Sequence, residues 1–282
     1  MRRGVIRVGT SGWNYEGWKA HFYRGVPRRR WLAHAAETFG ALEINGSFYV
    51  QIARETYRRW RDETPDDTRF AVKGHRFVTH YKRLRDVDRS VALLRDQARG
   101  LGDKLDVVLW QLPANLQADA RRLREFLRAL RRWRGVRHAI ELRHRSWFTD
   151  EVADLLRHAK VASCLSDAPD FPLWREVTAD FVYVRLHGHT RKYRSRYAAS
   201  HLRRWADDAR AWSREGRDVY VFFDNDAEGA AVRDTVALRA LLGLDAKATR
   251  RGPTPTRAAR AASPRPTATT RAAGRRSRTA GR

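Results

Sequence analysis

The sequence lacks several features that would point to a familiar class of protein. It contains a single cysteine, Cys164, which excludes an intramolecular disulfide and a CxxC metal motif. No apolar run approaches the length of a membrane span, and charge and glycine interrupt the amino-terminal stretch MRRGVIRVG. We therefore expect a soluble, cytoplasmic protein without a signal peptide, in which Cys164 is a buried core thiol.

Acidic residues are missing from the end of the chain. Eleven of the 58 Lys and Arg residues fall between 247 and 282, where no Asp or Glu occurs, so residues 1–246 carry +15 of the formal net charge of +26. This tail also has no aromatic or large aliphatic residue, and we expect it to be disordered beside a folded domain of residues 1–246. Disordered basic tails commonly bind nucleic acid; a high arginine content without a dedicated partner is the alternative.

The rest of the chain alternates between two periodicities. Runs rich in β-branched residues predict eight strands, at Val5–Gly9, Ala41–Asn45, Phe70–Lys73, Asp106–Leu112, His138–Arg143, Val161–Ser166, Phe181–His187 and Val219–Asp224. Helical spacing predicts seven helices, at Arg28–Phe39, Arg54–Asp62, Asp88–Gly100, Ala120–Trp133, Asp150–Ala159, Ser200–Glu215 and Ala230–Leu242. This alternation predicts an α/β protein with the (β/α)8 TIM-type barrel fold, in which a loop replaces the helix after the sixth strand. A doubly wound open sheet is the alternative, but no Gly-rich nucleotide loop supports it.

Side-chain alternation along these strands predicts which residues face the barrel interior. Apolar positions such as Leu42 and Ile140 pack against the helices, and the intervening positions point inward. The predicted inward residues are Glu43, Asn45, Lys73, Gln111, Glu141, Arg143, Arg185 and His187, with Arg7 deeper and one of Asp224 or Asn225. Most of them fall near the carboxyl ends of their strands, where the active sites of such barrels lie.

The charges of this interior predict the kind of ligand. The bases are Arg7, Lys73, Arg143 and Arg185, and the acids are Glu43, Glu141 and Asp224. Because bases exceed acids by one, a phosphate or carboxylate ligand would complete the balance, and the planar fork of arginine suits both groups. The alternative is an internal salt-bridge network that only stabilises the barrel.

Three kinds of chemistry can be considered for these residues, and we favour the first. Glu43, Glu141 and His187 could act as general acid and base, unless each glutamate is paired with a neighbouring cation. A divalent metal is disfavoured because the cations would repel it and the nearest paired-histidine motif is HGH at 187–189; we expect no organic cofactor. A Schiff base on Lys73 is also disfavoured, because a lone inward lysine is more often an ion-pair partner or phosphate ligand.

Aromatic side chains follow several strands on the same side. Trp13, Tyr49 and Trp147 could stack on a base or a sugar ring, or could instead anchor loops. The loop HGHTRKYRSRY, at 187–197, combines four Lys or Arg with two tyrosines, which suits a phosphate backbone and stacked bases. A solvated lid is the alternative for this loop.

Seven segments together resemble the YecE-like family, known as domain of unknown function 72. They are GTSGWNYEGW (9–18), LEINGSFY (42–49), FAVKGHRFVTH (70–80), LWQLP (109–113), IELRHRSW (140–147), VRLHG (184–188) and FFDND (222–226). The resemblance covers roughly residues 4–243, leaves the basic tail outside, and implies a TIM-type barrel with a site but no particular reaction. Relatives typically carry Asn-Asn where this chain has Asp224 and Asn225, so a role at that position does not transfer directly.

These observations predict an enzyme, a hydrolase or an isomerase, that acts on an anionic, phosphate-bearing substrate such as a sugar phosphate or nucleic acid. Glu141, Glu43 and His187 would move protons. The substrate-binding residues would be Arg143, Arg185, Lys73, Gln111, Asn45, Asp224, Asn225, Trp13, Tyr49 and Trp147. The alternative is a non-catalytic nucleic-acid-binding protein that uses the basic tail and the basic mouth. We favour a monomer that does not contact membranes.

Overall fold

Eight strands close into a parallel barrel in the computed structural model, which describes residues 2–245. In chain order the elements are β1 Ile6–Ser11, α1 Trp31–Phe39, β2 Ala41–Ile44, α2 Arg54–Asp62, β3 Arg69–Lys73, α3 Asp88–Ala98, β4 Leu105–Gln111, α4 Ala120–Leu130, β5 Arg137–Glu141, α5 Asp150–Ala159, β6 Val161–Asp167, β7 Phe181–Leu186, α6 Ala199–Arg214, β8 Asp218–Phe223 and α7 Ala230–Leu242. Each strand pairs in parallel with the next, and β8 pairs with β1. The predicted (β/α)8 barrel is confirmed, as is the missing helix between β6 and β7. None of the helices in this range is long and apolar enough to cross a bilayer.

The predicted tail of residues 247–282 lies outside the described residues, so its disorder and its nucleic-acid binding remain predictions.

Side-chain alternation separates two hydrophobic layers. Leu42, Ile140 and Val184 belong to the layer between the strands and the helices, whereas Ala71, Leu109 and other residues fill the barrel interior. Cys164 is a free thiol of this interior, as expected. The strand faces predicted from the sequence are therefore confirmed. The prediction succeeds because residues packed between strands and helices must be apolar.

Arg7 lies at the amino-terminal end of the barrel and not among the charges of the mouth. Its Nε is 3.5 Å from Oδ2 of Asp106, and its guanidinium lies 5.6 Å from the ring centroid of Tyr220. The Tyr220 hydroxyl also donates to Asp106 at 2.8 Å, and Arg137 pairs with Asp218 at 2.8 Å. Arg7 thus has its own partners, and the expected excess of one base at the mouth is wrong.

Gly9 is required where β1 and β2 approach closely. A Cβ on Gly9 would lie 1.9 Å from the carbonyl oxygen of Ala41, whereas a Cβ on Gly17 would meet no atom within 4 Å. We expect Gly9→Ala to lower the free energy of unfolding by roughly 1–3 kcal/mol, because the two strands must separate. The matched control Gly17→Ala should change it by less than about 0.5 kcal/mol in urea denaturation. Equal effects of the two substitutions would contradict this account of the strand contact.

Candidate active site

The side chain of Arg185 is the centre of a buried network at the carboxyl end of the barrel. It is fully buried and contacts three carboxylates. Its Nη1 donates to Glu141 at 2.9 Å, and its Nη2 donates to Glu43 at 2.7 Å and to Asp224 at 3.0 Å. Its guanidinium nitrogens therefore already donate to carboxylates of the protein, which leaves few donors to bind a substrate.

Glu43 lies deep in this network, and both of its oxygens are occupied. Oε1 accepts hydrogen bonds from Ser11 and from Nη2 of Arg185, and Oε2 accepts from the Tyr183 hydroxyl at 2.6 Å and from Nε of Arg185 at 3.1 Å. The side chain is fully buried. A carboxylate with four donors has no free lone pair aimed at a ligand, so this geometry does not fit the proton-transfer role expected for Glu43.

Glu141 is held in the same way by two guanidinium groups. Nε of Arg143 donates to Oε1 at 2.6 Å, and Nη1 of Arg185 donates to Oε2. Burial alone would raise the pKa of the Glu141 carboxyl, but Arg143 and Arg185 hold it well below its usual range. The group therefore stays ionised at neutral pH, which fits the alternative of pairing with nearby cations better than acid–base work.

His187 differs from these groups because one of its buried ring nitrogens has no hydrogen-bond partner in the described chain. Its Nδ1 lies 3.0 Å from Oδ2 of Asp224, whereas its Nε2 lies 3.7 Å from Oε1 of Glu141 and makes no hydrogen bond to the described residues. The rings of Phe171 and Tyr193 enclose it at centroid distances of 5.5 and 5.6 Å. Burial, with the charge of Arg185, lowers the pKa of His187, so the imidazole is neutral at pH 7.

Asp224 faces inward and Asn225 does not, which decides the choice that the sequence left open. Burial would raise the pKa of Asp224, but Arg185 and His187 hold it well below its usual range. The Asn225 amide donates at 2.9 Å both to Asp234 of α7 and to the carbonyl oxygen of Ser195. The Asn225 amide therefore joins a loop to helix α7, its Oδ1 is buried without a partner among the described residues, and its role in substrate binding stays a prediction.

Lys73 is a buried amine that pairs with neither glutamate. Its Nζ donates to Oδ1 of Asn45 at 3.1 Å and lies 4.2 Å from the ring centroid of Phe48. Burial, with the nearby charge of Arg185, lowers the pKa of Lys73 to about 8. Lys73 and Asn45 thus lie together at the mouth, as predicted, and the amine keeps protons that it can donate to a ligand.

The depressed pKa of Lys73 can be measured directly. The chain has seven lysines, and we expect one Cε resonance of 13C-labelled lysine to titrate with a midpoint of about 8. The Lys73→Met variant should lack the early-titrating resonance, whereas Lys19→Met should keep it. The absence of a resonance with this midpoint would refute the desolvation of Lys73.

The aromatic residues predicted for stacking lie in three different environments. Trp147 is fully buried, and its indole Nε1 donates to the carbonyl oxygen of Leu116 at 2.7 Å. Trp13 packs edge-on against Trp60 of α2, with centroids 5.2 Å apart. Both anchor loops, and the prediction that Trp147 contacts substrate is wrong because no part of its ring is exposed. Tyr49, by contrast, is 54% exposed on the rim of the mouth.

Gln111 lies where predicted, at the inward end of β4. It is buried and pairs in register with Glu141 of β5. It therefore borders the charged network.

Three further groups lie at the mouth, and of these only Tyr15 is suggested by the sequence, as an aromatic residue after the first strand. Tyr15 lies close to Asp226 and Asp224, and burial with these charges raises its pKa. Burial and the charge of Asp224 raise the pKa of Asp226 to about 6. Burial, with the charges of Arg143 and Lys73, lowers the pKa of His80 to about 4. Tyr15, His80 and Asp226 all belong to the quoted family segments, but each lies in a loop or turn whose direction strand alternation cannot predict.

Metal ligation is not apparent in this arrangement. Within residues 2–245, no group of three His, Cys, Asp or Glu side chains is placed to hold a metal ion. The acids nearest to His187 are Glu141 and Asp224, and arginine donors already occupy oxygens of both.

Comparison with known proteins agrees with this architecture. UPF0759 protein YunF of Bacillus subtilis (strain 168) is 24% identical over 274 residues, which cover 86% of this chain and 96% of that protein. UPF0759 protein YecE of Escherichia coli (strain K12) is 28% identical over 110 residues, or 39% of this chain and 38% of that protein. A crystal structure of a DUF72 family protein from Thermotoga maritima MSB8 superposes with a TM-score of 0.76 at 27% identity, covering 85% of this chain and 99% of that one.

The family match spans residues 7–259 and is described as "Protein of unknown function DUF72". It extends into the basic segment, so the expectation that the tail lies wholly outside the family region is wrong for residues 247–259. The resemblance read from the seven segments is confirmed, since the match covers most of the sequence. The chain belongs to DUF72, a protein family of unknown function.

Proposed function

We propose that this barrel is an enzyme that binds an anionic, phosphate-bearing substrate at its mouth and moves a proton through His187. The observation that carries the proposal is a difference in hydrogen bonding: some buried side chains have a partner for each polar atom, and others do not. The oxygens of Glu43 and Glu141 accept hydrogen bonds from protein donors. Nε2 of His187 and Nη2 of Arg143 are buried without a hydrogen-bond partner in the described chain.

Unsatisfied donors, and not net charge, support the choice of an anion. Lys73, Arg143 and Arg185 balance Glu43, Glu141 and Asp224, and Asp226 adds a fourth acid at the mouth, so charge alone requires no anionic ligand. A buried guanidinium N–H without a partner costs free energy, and so does a buried amine with a single acceptor. Phosphate oxygens would accept from both Arg143 and Lys73, which stabilises the bound state relative to the free protein.

His187 is the group best suited to move a proton. A neutral imidazole accepts a proton at one nitrogen, and Asp224 beside the other nitrogen would stabilise the imidazolium that forms. Glu43 and Glu141 would instead hold Arg185 and Arg143 in place. This assignment keeps His187 as a catalytic residue and gives both glutamates a positioning role.

Calorimetric titration with inorganic phosphate tests the binding half of the proposal. We expect Lys73→Met and Arg143→Gln each to weaken phosphate binding roughly 10- to 150-fold, the loss of one hydrogen bond to a charged group. His187→Gln should bind phosphate nearly as well as the wild type. The control is Arg134→Gln, an exposed arginine between α4 and β5 at the opposite end of the barrel. Equal phosphate affinity in all four variants would place any phosphate site elsewhere.

A further inference from the structure

Three aromatic side chains stand exposed on one part of the barrel rim. Tyr49 is 54% exposed, Phe77 is 45% exposed and Tyr81 is 65% exposed. Tyr49 follows β2, and Phe77–Tyr81 form a π-helical turn just after β3. Three such rings on adjacent loops form an exposed apolar surface. Covering it with a partner would remove this apolar area from water, which is favourable.

Cations are interleaved with these rings. The Arg76 guanidinium lies 5.7 Å from the ring centroids of both Tyr49 and Tyr81, and Nζ of Lys82 lies 5.8 Å from that of Phe77. Residues 74–85 contain four Lys or Arg and no Asp or Glu. We call Tyr49, Arg76, Phe77, Tyr81 and Lys82 the rim platform.

The rim platform is connected to the candidate active site. Phe48, which precedes Tyr49, packs edge-on against His80 with centroids 5.0 Å apart, and its ring lies under the amine of Lys73. His80 belongs to the same turn as Phe77 and Tyr81. A ligand that covers the platform would therefore pass beside Lys73 as it entered the mouth.

We propose that the rim platform binds single-stranded nucleic acid, with bases stacked on Tyr49, Phe77 and Tyr81 and phosphates held by Arg76 and Lys82. This inference rests on the proposed function and names its substrate class. Aromatic rings beside cations match a chain that alternates flat bases with phosphates, and every base offers a face for stacking. A duplex hides those faces inside its own stack, which favours a single strand. The charge of +15 on residues 1–246 also favours a polyanion over a neutral partner.

The test must separate base stacking from binding of phosphates by the basic tail. Residues 247–282 contain no aromatic residue, so the tail can attract phosphates but offers no ring for stacking. The full-length protein is titrated into a labelled oligothymidylate of about 12 nucleotides and into an abasic strand of the same length, with fluorescence anisotropy as the readout. Moderate salt, on the order of 0.3 M, weakens the contribution of the tail to both strands equally.

We expect oligothymidylate to bind at least about 5-fold more tightly than the abasic strand, the effect of one stacked base. Tyr49→Ala and Tyr81→Ala should each reduce this preference, and the double variant should bring the two strands close to parity. The control Val236→Ala removes an exposed apolar side chain from α7 and should leave the preference unchanged.

Three results would overturn the inference: equal affinity of the wild type for both strands, an undiminished preference in the double variant, or equal competition by duplex DNA. Calorimetry of the double variant with inorganic phosphate separates this failure from that of the proposed function. If phosphate binding depends on Lys73 and Arg143 but no base preference exists, the proposed function stands without the platform. If the base preference exists and phosphate does not bind at the mouth, the platform is a nucleic-acid surface and the proposed function fails.

Discussion

Arg185→Met should destabilise the barrel by about 3–5 kcal/mol at neutral pH, the usual cost of removing one partner from a buried ion pair. Methionine fills much of the same volume, so the effect reports charge and not a cavity. Glu43, Glu141 and Asp224 would lose their common donor while they remain buried. Urea unfolding at pH 7 measures the loss. The control is Arg121→Met, which breaks an exposed pair with Glu125 and should cost less than about 1 kcal/mol.

The pH dependence of this loss gives a second check. The folded-state pKa values of Glu141 and Asp224 are lowered, so their contribution to stability is present above the unfolded values near 4 and is lost as pH falls. Without Arg185, both carboxyls lose a cation that opposes the effect of burial, so both pKa values should be higher than in the wild type. The difference between wild type and variant should therefore shrink as pH is lowered from about 7 to about 4. A loss below about 1 kcal/mol at pH 7, or one that grows in acid, would contradict the central role of Arg185.

The sequence predicts the barrel well because the pattern rests on a strong physical constraint. Strand residues that contact helices must be apolar, so the positions of Leu42 and Ile140 reveal the opposite face that carries Glu43 and Glu141. The same constraint places Lys73, Arg185 and His187 inside the barrel. This constraint specifies the face of the strand on which a side chain lies. A site is predicted where several strands end in polar residues that face inward.

Alternation does not specify the depth of a residue or its partners, and the errors follow from this. Arg7 faces inward like Arg185, but it lies at the other end of the barrel and pairs with Asp106. The inward charges therefore form two separate clusters, one at each end of the barrel, and a single sum of charges does not describe the mouth. The sequence also cannot show which carboxylate an arginine contacts. Glu43, whose oxygens all have donors, and His187, whose Nε2 has no partner, therefore look equally able to bind a ligand.

Residues beyond the strand ends are harder to place, because a loop has no fixed period. Trp147 and Tyr49 both follow a strand, yet Trp147 is fully buried and Tyr49 is mostly exposed. Asp224 and Asn225 follow β8 directly, and only one of them faces inward. The exposed rings Phe77 and Tyr81 belong to a π-helical turn, for which the sequence has no recognisable period.

If His187 moves the proton and Lys73 holds the anion, kcat/KM should follow a bell-shaped pH profile. Burial and Arg185 lower the pKa of His187, so the acid limb should lie below about pH 6.5, where the imidazole becomes protonated and cannot accept a proton. The alkaline limb should lie near pH 8, where Lys73 loses its charge. Bis(4-nitrophenyl) phosphate is a suitable probe, because a phosphodiester does not change its own charge in this range and its hydrolysis releases a coloured product.

Substitution of the two residues should change this profile in different ways. His187→Gln should lower kcat/KM by roughly 10²- to 10⁴-fold, the usual contribution of a general acid–base group, while phosphate binding persists. Lys73→Arg keeps the positive charge and should move the alkaline limb above pH 8, because a guanidinium does not titrate in this range. Lys73→Met should instead raise KM below pH 8, where the wild-type amine is charged, and should abolish the alkaline limb. Turnover that is unaffected by His187→Gln would remove the imidazole from the reaction, and an alkaline limb that stays near pH 8 in Lys73→Arg would assign that titration to another group.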